Sequence, residues 1–128
     1  MKQLKSSAED LRNLFTSAIT VRHIAESLAS FDAGTPVGNV ASFMAEKDYD
    51  LIGVRRKGLV VGYARKEDLT EGSLGDHLID FEPAIVIPDT DPILRALEIL
   101  KNSSAVFVSM LGQVAGIVTR GDLQKAPI

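Results

Sequence analysis

One stretch of this chain is written twice. Leu51–Leu69 lies on Ala105–Leu123 at a constant offset of 54, which sets Gly58 on Gly112, Val60 on Val114, Gly62 on Gly116, Asp68 on Asp122 and Leu69 on Leu123. Upstream the match continues at an offset of 56, with Pro36 on Pro92, Val37 on Ile93, Val40 on Ala96, Ala41 on Leu97 and Met44 on Leu100. The difference of two predicts an indel in the loop that follows a helix. A unit of this size cannot bury both of its faces alone, so the two copies are expected to pack together.

Each copy reads in the same way. Thr35-Pro36 and Asp91-Pro92 pair a capping residue with a proline suited to the first helical position. In the second copy Ile93, Leu94, Ala96, Leu97, Ile99 and Leu100 follow the spacing of a broad apolar helix face, and Lys101-Asn102 supply a basic last turn and a stop. Two short apolar runs follow, Leu51–Val54 and Leu59–Ala64 in the first copy, Ala105–Val108 and Val114–Thr119 in the second, with tight turns at Gly58 and Gly112. Those are β-hairpins. Pro83–Pro88 adds a strand ahead of the second helix, so the unit is β-α-β-β followed by the start of another helix. Ahead of the repeat, within Ser6–Leu28, Leu11, Leu14, Phe15, Ala18 and Ile19 line one helical face, and Ser6 and Glu9 are spaced as a capping box. That amphipathic helix is expected to pack on its own module or to contribute to a dimer contact.

Composition narrows the function. With 128 residues the chain has room for one core, and 45% apolar with 24% charged residues is the balance of an ordinary globular domain. Cysteine is absent, which removes disulfides and thiolate metal sites and fits a reducing, cytoplasmic setting. The N-terminus has no signal-peptide pattern, and no apolar run reaches the roughly 20 residues of a membrane span. A net charge of −3 argues against nucleic acid. The one basic run, Arg55-Arg56-Lys57, reads as a solvated hairpin turn, with a phosphate or partner contact as the alternative.

Other apparent motifs fail. Gly53–Gly58 has the glycine spacing of a phosphate loop but continues Leu-Val, without the Lys and Ser/Thr that hold phosphate and magnesium. Arg120-Gly121-Asp122 spells an integrin-type tripeptide at a strand-to-helix junction, and Asn102-Ser103-Ser104 is a glycosylation sequon that matters only in a secreted chain. His23 and His77, also 54 apart, suggest equivalent structural places and lack the partners of a metal site. No nucleophile elbow, zinc-protease helix or cysteine nucleophile is present, so no catalytic residue and no metal or cofactor is expected.

Two β-α-β-β units that each end in Gly–apolar–apolar–x–x–x–Asp–Leu resemble the paired motif of the CBS (cystathionine β-synthase) domain family, also called a Bateman module. The second copy carries the fuller signature: G-I-V-T-R-G-D-L, Gly116 to Leu123, matches the family pattern Gly–h–h–Thr/Ser–x–x–Asp–h at every specified position, and V-I-P-D-T-D-P ahead of the helix is also typical. The first copy keeps Gly62, Asp68 and Leu69 but has Arg65 where the family has Thr or Ser. The resemblance spans about Thr20 to Leu123. It implies an α/β (α+β) fold, a tandem pair of β-α-β-β-α CBS motifs with pseudo-two-fold symmetry, in which an N-terminal helix at 1–19 precedes a first motif at 20–72 and a second at 73–128.

The family is known for regulatory modules that bind AMP, ADP, ATP or S-adenosylmethionine in clefts between the motifs, so the resemblance implies a sensor and not an enzyme. Carried over, the second site is expected to use Thr119, Arg120 and Asp122, the backbone at Ala84, Ile85 and Ile87 along the adenine, and Thr35 at the opposite helix start. The first site would use Asp68, with Arg65 as a phosphate cation and Thr90 or Asp91 opposite. The chemistry is apt: a carboxylate accepts from both ribose hydroxyls, a hydroxyl adds a further partner, and a helix start offers free N–H groups to an anion. Simpler readings stand beside these, in which Asp68 and Asp122 cap following helices and Thr119 is an ordinary strand residue. At position 65 a guanidinium either grips a polyphosphate or fills the site, and unequal sites are expected. The resemblance further implies a homodimer through helix faces such as Ile93–Leu100. Because the chain stops at Gln124–Ile128, just after the signature, a missing effector domain is expected. The alternative function is a nucleotide-free dimerisation or docking scaffold.

Overall fold

Both hairpins close through two residues with positive φ, Lys57 (54°) and Gly58 (80°) in the first, Leu111 (54°) and Gly112 (83°) in the second. Two left-handed residues in succession make the type I′ turn, whose twist matches that of the strands, and glycine takes the second place without strain. In the computed structural model, which describes residues 19–120, these turns join β3 (Leu51–Arg56) to β4 (Leu59–Arg65) and β7 (Ala105–Met110) to β8 (Gln113–Thr119). The hairpins therefore form where the repeat placed them. The basic run is only partly a turn, however. Arg55 is a half-buried residue of β3, its Nη2 donating weakly to the Ser30 carbonyl (3.5 Å) and its Nε buried without a partner among the described residues.

Two helices complete the copies, α1 (Val37–Lys47) and α2 (Ile93–Ile99). The residues matched at offset 56 occupy the same inward face: Val37 and Ile93, Val40 and Ala96, Met44 and Leu100 are all buried. The helix starts differ from expectation. Pro36 (ψ 139°) and Pro92 (ψ 152°) are extended residues that flank the helix instead of opening it, and neither end has a side-chain cap hydrogen bond. Thr35 and Asp91 thus stand one place outside the capping position. The indel also falls elsewhere: α1 continues past Met44 to Lys47 and closes on left-handed Asp48 (φ 60°), whereas α2 ends at Ile99. The first helix has 11 residues against 7, and its loop to the hairpin is shorter, so the difference of two is the net of a longer helix and a shorter loop.

Four short strands flank the hairpins: β1 (Glu26–Ser27), β2 (Ser30–Asp32), β5 (Ile79–Asp80) and β6 (Val86–Pro88). They give two four-stranded sheets with orders β2-β3-β4-β5 and β1-β8-β7-β6. β2 runs parallel to β3, pairing Ser30 with Gly53, and β6 runs parallel to β7, pairing Val86 with Phe107. The strand expected over Pro83–Pro88 is shorter, because Pro83–Ile85 form a 3-10 turn ahead of β6. After β4 the first copy has only 3-10 turns, Lys66–Asp68 and Leu74–His77, where an α-helix start was expected. The amphipathic stripe from Leu11 to Ala18 lies outside the described residues. Beyond it, Val21–His23 form a 3-10 turn and β1 follows, so no helix continues to Leu28.

The motifs drawn at 20–72 and 73–128 are units of sequence, and packing divides the chain elsewhere. One compact unit holds Ser27–Glu82 with Gln113–Ala115; of the described residues the other holds 19–26, Pro83–Gly112 and 116–120. Each copy's lead-in segment therefore belongs with the other copy's helix. In the second unit Val21 N–H donates to the Asp91 carbonyl (2.9 Å), Arg22 N–H to Asp89 (3.1 Å) and Ile93 N–H to Ile19 (2.9 Å). In the first unit the same pattern appears as Leu74 N–H to Thr35 (2.8 Å), Gly75 N–H to Ala33 (2.8 Å) and Val37 N–H to Gly72 (3.1 Å). The bonds from Ile93 and Val37 satisfy N–H groups that the helix starts leave open. Val21 and Leu74 then drop into separate cores, one with Ile87, Ala96, Val106 and Val118, the other with Val40, Met44, Ile52 and Ala64.

In these lead-ins Val21 answers to Leu74, an offset of 53, so the residue answering to His23 is Asp76 and not His77. Both occupy the third place of a capping box, His23 with Thr20 and Asp76 with Ser73. The Ser73 N–H (3.0 Å) holds the Asp76 carboxyl below its ordinary value, against a smaller desolvation effect, and the Ser73 hydroxyl, His77 and Arg56 add to the lowering.

A lowered folded pKa stabilises above the unfolded value of about 3.9 and loses that contribution as pH falls through the folded one. Asp76→Asn is therefore expected to destabilise at pH 7, with the difference from wild type in urea unfolding shrinking as the pH is lowered below about 3.9; a pH-independent difference would contradict this. The repeated glycines differ too. A Cβ on Gly62 would overlap the Ile79 carbonyl oxygen and the Leu78 side chain, while one on Gly116 meets the Glu26 carbonyl oxygen at 3.2 Å. Gly62→Ala should cost about 1–3 kcal/mol, the usual range for overpacking, and Gly116→Ala clearly less, as read from thermal unfolding.

Candidate functional site

The end of each hairpin's second strand is the place where the two copies differ chemically. Thr119 closes β8 as a half-buried residue, and Arg65 closes β4 at the corresponding position. Arg120 follows Thr119, and its Nε donates to the Leu100 carbonyl (2.9 Å) at the C-terminal end of α2. A cation there meets one of the carbonyls that a helix end leaves unpaired, so Arg120 has an architectural task. Asp122 lies outside the described residues.

The other residues expected for the second site divide by role. Ala84 is exposed and Ile85 half-buried in the 3-10 turn before β6, so their backbone borders the surface. Ile87 is buried in the core and has only its backbone to offer, part of which the parallel pairing with β7 shares. These residues, Thr119 and Arg120 fall in one compact unit; Thr35 falls in the other. Thr35 donates its N–H to the Asp32 carbonyl (3.0 Å) and accepts from Leu74 N–H through its own carbonyl (2.8 Å).

In the first copy Arg65 is half-buried, with its guanidinium carbon 5.9 Å from the centroid of the Tyr63 ring, within reach of a cation–π contact. Tyr63 is only 7% exposed and stacks on Phe81 with ring centroids 5.8 Å apart and planes 22° from parallel. Asp68 is exposed at the end of the Lys66–Asp68 turn, so it caps no following helix, and its carboxylate has no hydrogen bond or ion pair among the described residues. Thr90 and Asp91 belong to the other unit: Thr90 is an exposed turn residue, and the Asp91 carbonyl is taken by Val21.

Tyr63 and Phe81 did not figure among the expected site residues. The period-two alternation of a strand is the signal for Tyr63, since residues two apart share a face. No local pattern links Phe81 to it. Among the described residues no group of three His, Asp or Glu is placed to hold a metal, and no helix is long and apolar enough to cross a membrane.

Comparison with known proteins gives a consistent result. Residues 79–128 match the family model of the CBS domain, and no match was found among curated proteins. Among solved structures the chain is similar to CBSX2, a CBS-pair protein from Arabidopsis thaliana, at 19% identity and a TM-score of 0.71, over 83% of this chain and 92% of that one. CBSX2 in complex with AMP superposes with a TM-score of 0.72 at 19% identity, over 84% of this chain and 95% of that one. The CBS domain of the bacterial CNNM/CorC family Mg2+ transporter matches at 19% identity and a TM-score of 0.68, over 88% of this chain and 77% of that one. At such identities the likeness establishes the fold.

The Arg120 contact yields a test in the ligand-free protein. Arg120→Ala should lower stability by up to about 1.5–3 kcal/mol, the range for a hydrogen bond involving a charged group, and an unchanged denaturant midpoint would show that the contact contributes nothing.

Proposed function

We propose, from the match of residues 79–128 to the CBS domain model and a fold like that of CBS-pair proteins, that the chain is a regulatory module that binds an adenine nucleotide or a related adenosyl ligand through its second copy. The observation that carries the reading is Thr119 at the end of β8, opening the sequence Thr-Arg-Gly-Asp, in a fold that CBSX2 shares when it holds AMP. A hydroxyl and a carboxylate three residues apart suit a sugar phosphate, the carboxylate accepting from the ribose hydroxyls. The backbone at exposed Ala84 and half-buried Ile85, in the same unit as Thr119, suits a purine edge. AMP, ADP, ATP and S-adenosylmethionine share that adenosine portion. We include in the same proposal a cytoplasmic location, a homodimer and an effector domain on which the sensor acts. Leu94, 41% exposed on α2, favours a contact between copies.

A nucleotide-free scaffold is the second reading, favoured by the Arg65 guanidinium lying over Tyr63 where the repeat has a hydroxyl in its other copy. A thermal-shift panel of the four ligands separates the two. A ligand at 100 times its Kd stabilises by about 2.7 kcal/mol, so at least one should raise the unfolding temperature clearly. Asp122→Ala should abolish that shift while Asp68→Ala leaves it nearly intact. No shift with any ligand at millimolar concentration, in a chain that still self-associates in light scattering, would establish the scaffold instead.

A further inference from the structure

We propose that Arg65 is a specificity-determining residue that withdraws the first copy from ligand binding, so that the protein takes one adenosyl ligand per chain. The inference rests on the ligand-binding reading above and comes from comparing the two copies position by position. At an offset of 54, Tyr63 and Arg65 stand where the second copy has Ile117 and Thr119. Both pairs are two residues apart on a strand and share a face. The first copy has therefore exchanged two residues together, an aliphatic for an aromatic and a hydroxyl for a cation.

The geometry shows why the exchange is coupled. The Arg65 guanidinium faces the Tyr63 ring at 5.9 Å. That ring is held from its own side by Phe81, nearly parallel at 5.8 Å, and Tyr63 is almost wholly buried. The cation thus lies against a ring that is buried and stacked. Ile117 offers no π face, so an arginine at 119 would have no such support. A side chain of this length also leaves no compact hydroxyl at the strand end, and Arg has no acceptor with which to replace one. Asp68, the equivalent of Asp122, then stands exposed at the end of a short 3-10 turn, with no partner among the described residues fixing its carboxylate. The first copy retains the acidic half of the sugar-phosphate pair and has lost the other half.

Isothermal titration of the full chain with AMP and with ATP tests this without any variant: one ligand per chain is expected for whichever binds. Arg65→Thr should raise the stoichiometry to two. Asp122→Ala alone should remove binding, and Arg65→Thr combined with Asp122→Ala should restore one ligand per chain. Two ligands per wild-type chain, or two with ATP falling to one in Arg65→Thr, would overturn the proposal while leaving the adenosyl reading intact. The latter result would make Arg65 a polyphosphate clamp. A stoichiometry that stays at one in folded Arg65→Thr would also overturn it. Absence of heat with every ligand, in wild type and variants alike, would instead sink the adenosyl reading and this proposal with it.

Discussion

The hydrogen bonds between each lead-in segment and the other copy's helix start are the constraint on which the rest of the structure depends. Ile93 N–H to Ile19, Val21 N–H to Asp91, Val37 N–H to Gly72 and Leu74 N–H to Thr35 all lie within 2.8 to 3.1 Å. Those from Ile93 and Val37 close helix starts that lack side-chain caps, because Pro36 and Pro92 occupy the flanking positions. The four together deliver Val21 and Leu74 into cores that the copies cannot complete from their own contiguous sequence. A single copy would have to leave those helix starts open and lose a wholly buried apolar residue. Each copy's helix start and core therefore draw on the lead-in of the other.

This exchange also explains the repeated glycines. Gly62 and Gly116 sit where lead-in residues pass close to a hairpin strand, Leu78 and Ile79 beside the first, Ala25 and Glu26 beside the second. A motif that looks like a signature of ligand binding thus begins with a residue kept for packing. The copies differ further along the strand, where Arg65 closes β4 and Thr119 closes β8.

Much of this was legible in the sequence for a physical reason: hairpins and helix faces are written in local periodicity. The type I′ turns at Gly58 and Gly112, and the buried faces through Val40 and Met44 or Ala96 and Leu100, follow from spacing alone. Long-range pairing leaves no such trace. The crossing of lead-ins, the true correspondence of His23 with Asp76, and the place of Phe81 behind Tyr63 depend on contacts between residues far apart in the chain. Local rules also misled where backbone conformation decides. The prolines looked like first helical residues, yet their ψ values are extended, and the indel assigned to a loop is the net of a longer α1 and a shorter loop. Of the candidate site, the position of Thr119 at the end of a hairpin strand followed from the repeat, and the backbone before β6 was implied only by the family resemblance; the Arg120 bond to Leu100 left no local trace, since it ties a strand end to a helix end twenty residues away.

The central claim is that an adenosyl ligand is held by the second copy. Backbone amide shifts followed by NMR during titration with AMP test it residue by residue. The account predicts perturbations concentrated at Ala84, Ile85, Thr119 and Arg120, with Arg65 and Asp68 little changed. Perturbations centred on Arg65 and Asp68, or none anywhere at saturating AMP, ADP, ATP or S-adenosylmethionine, would contradict it.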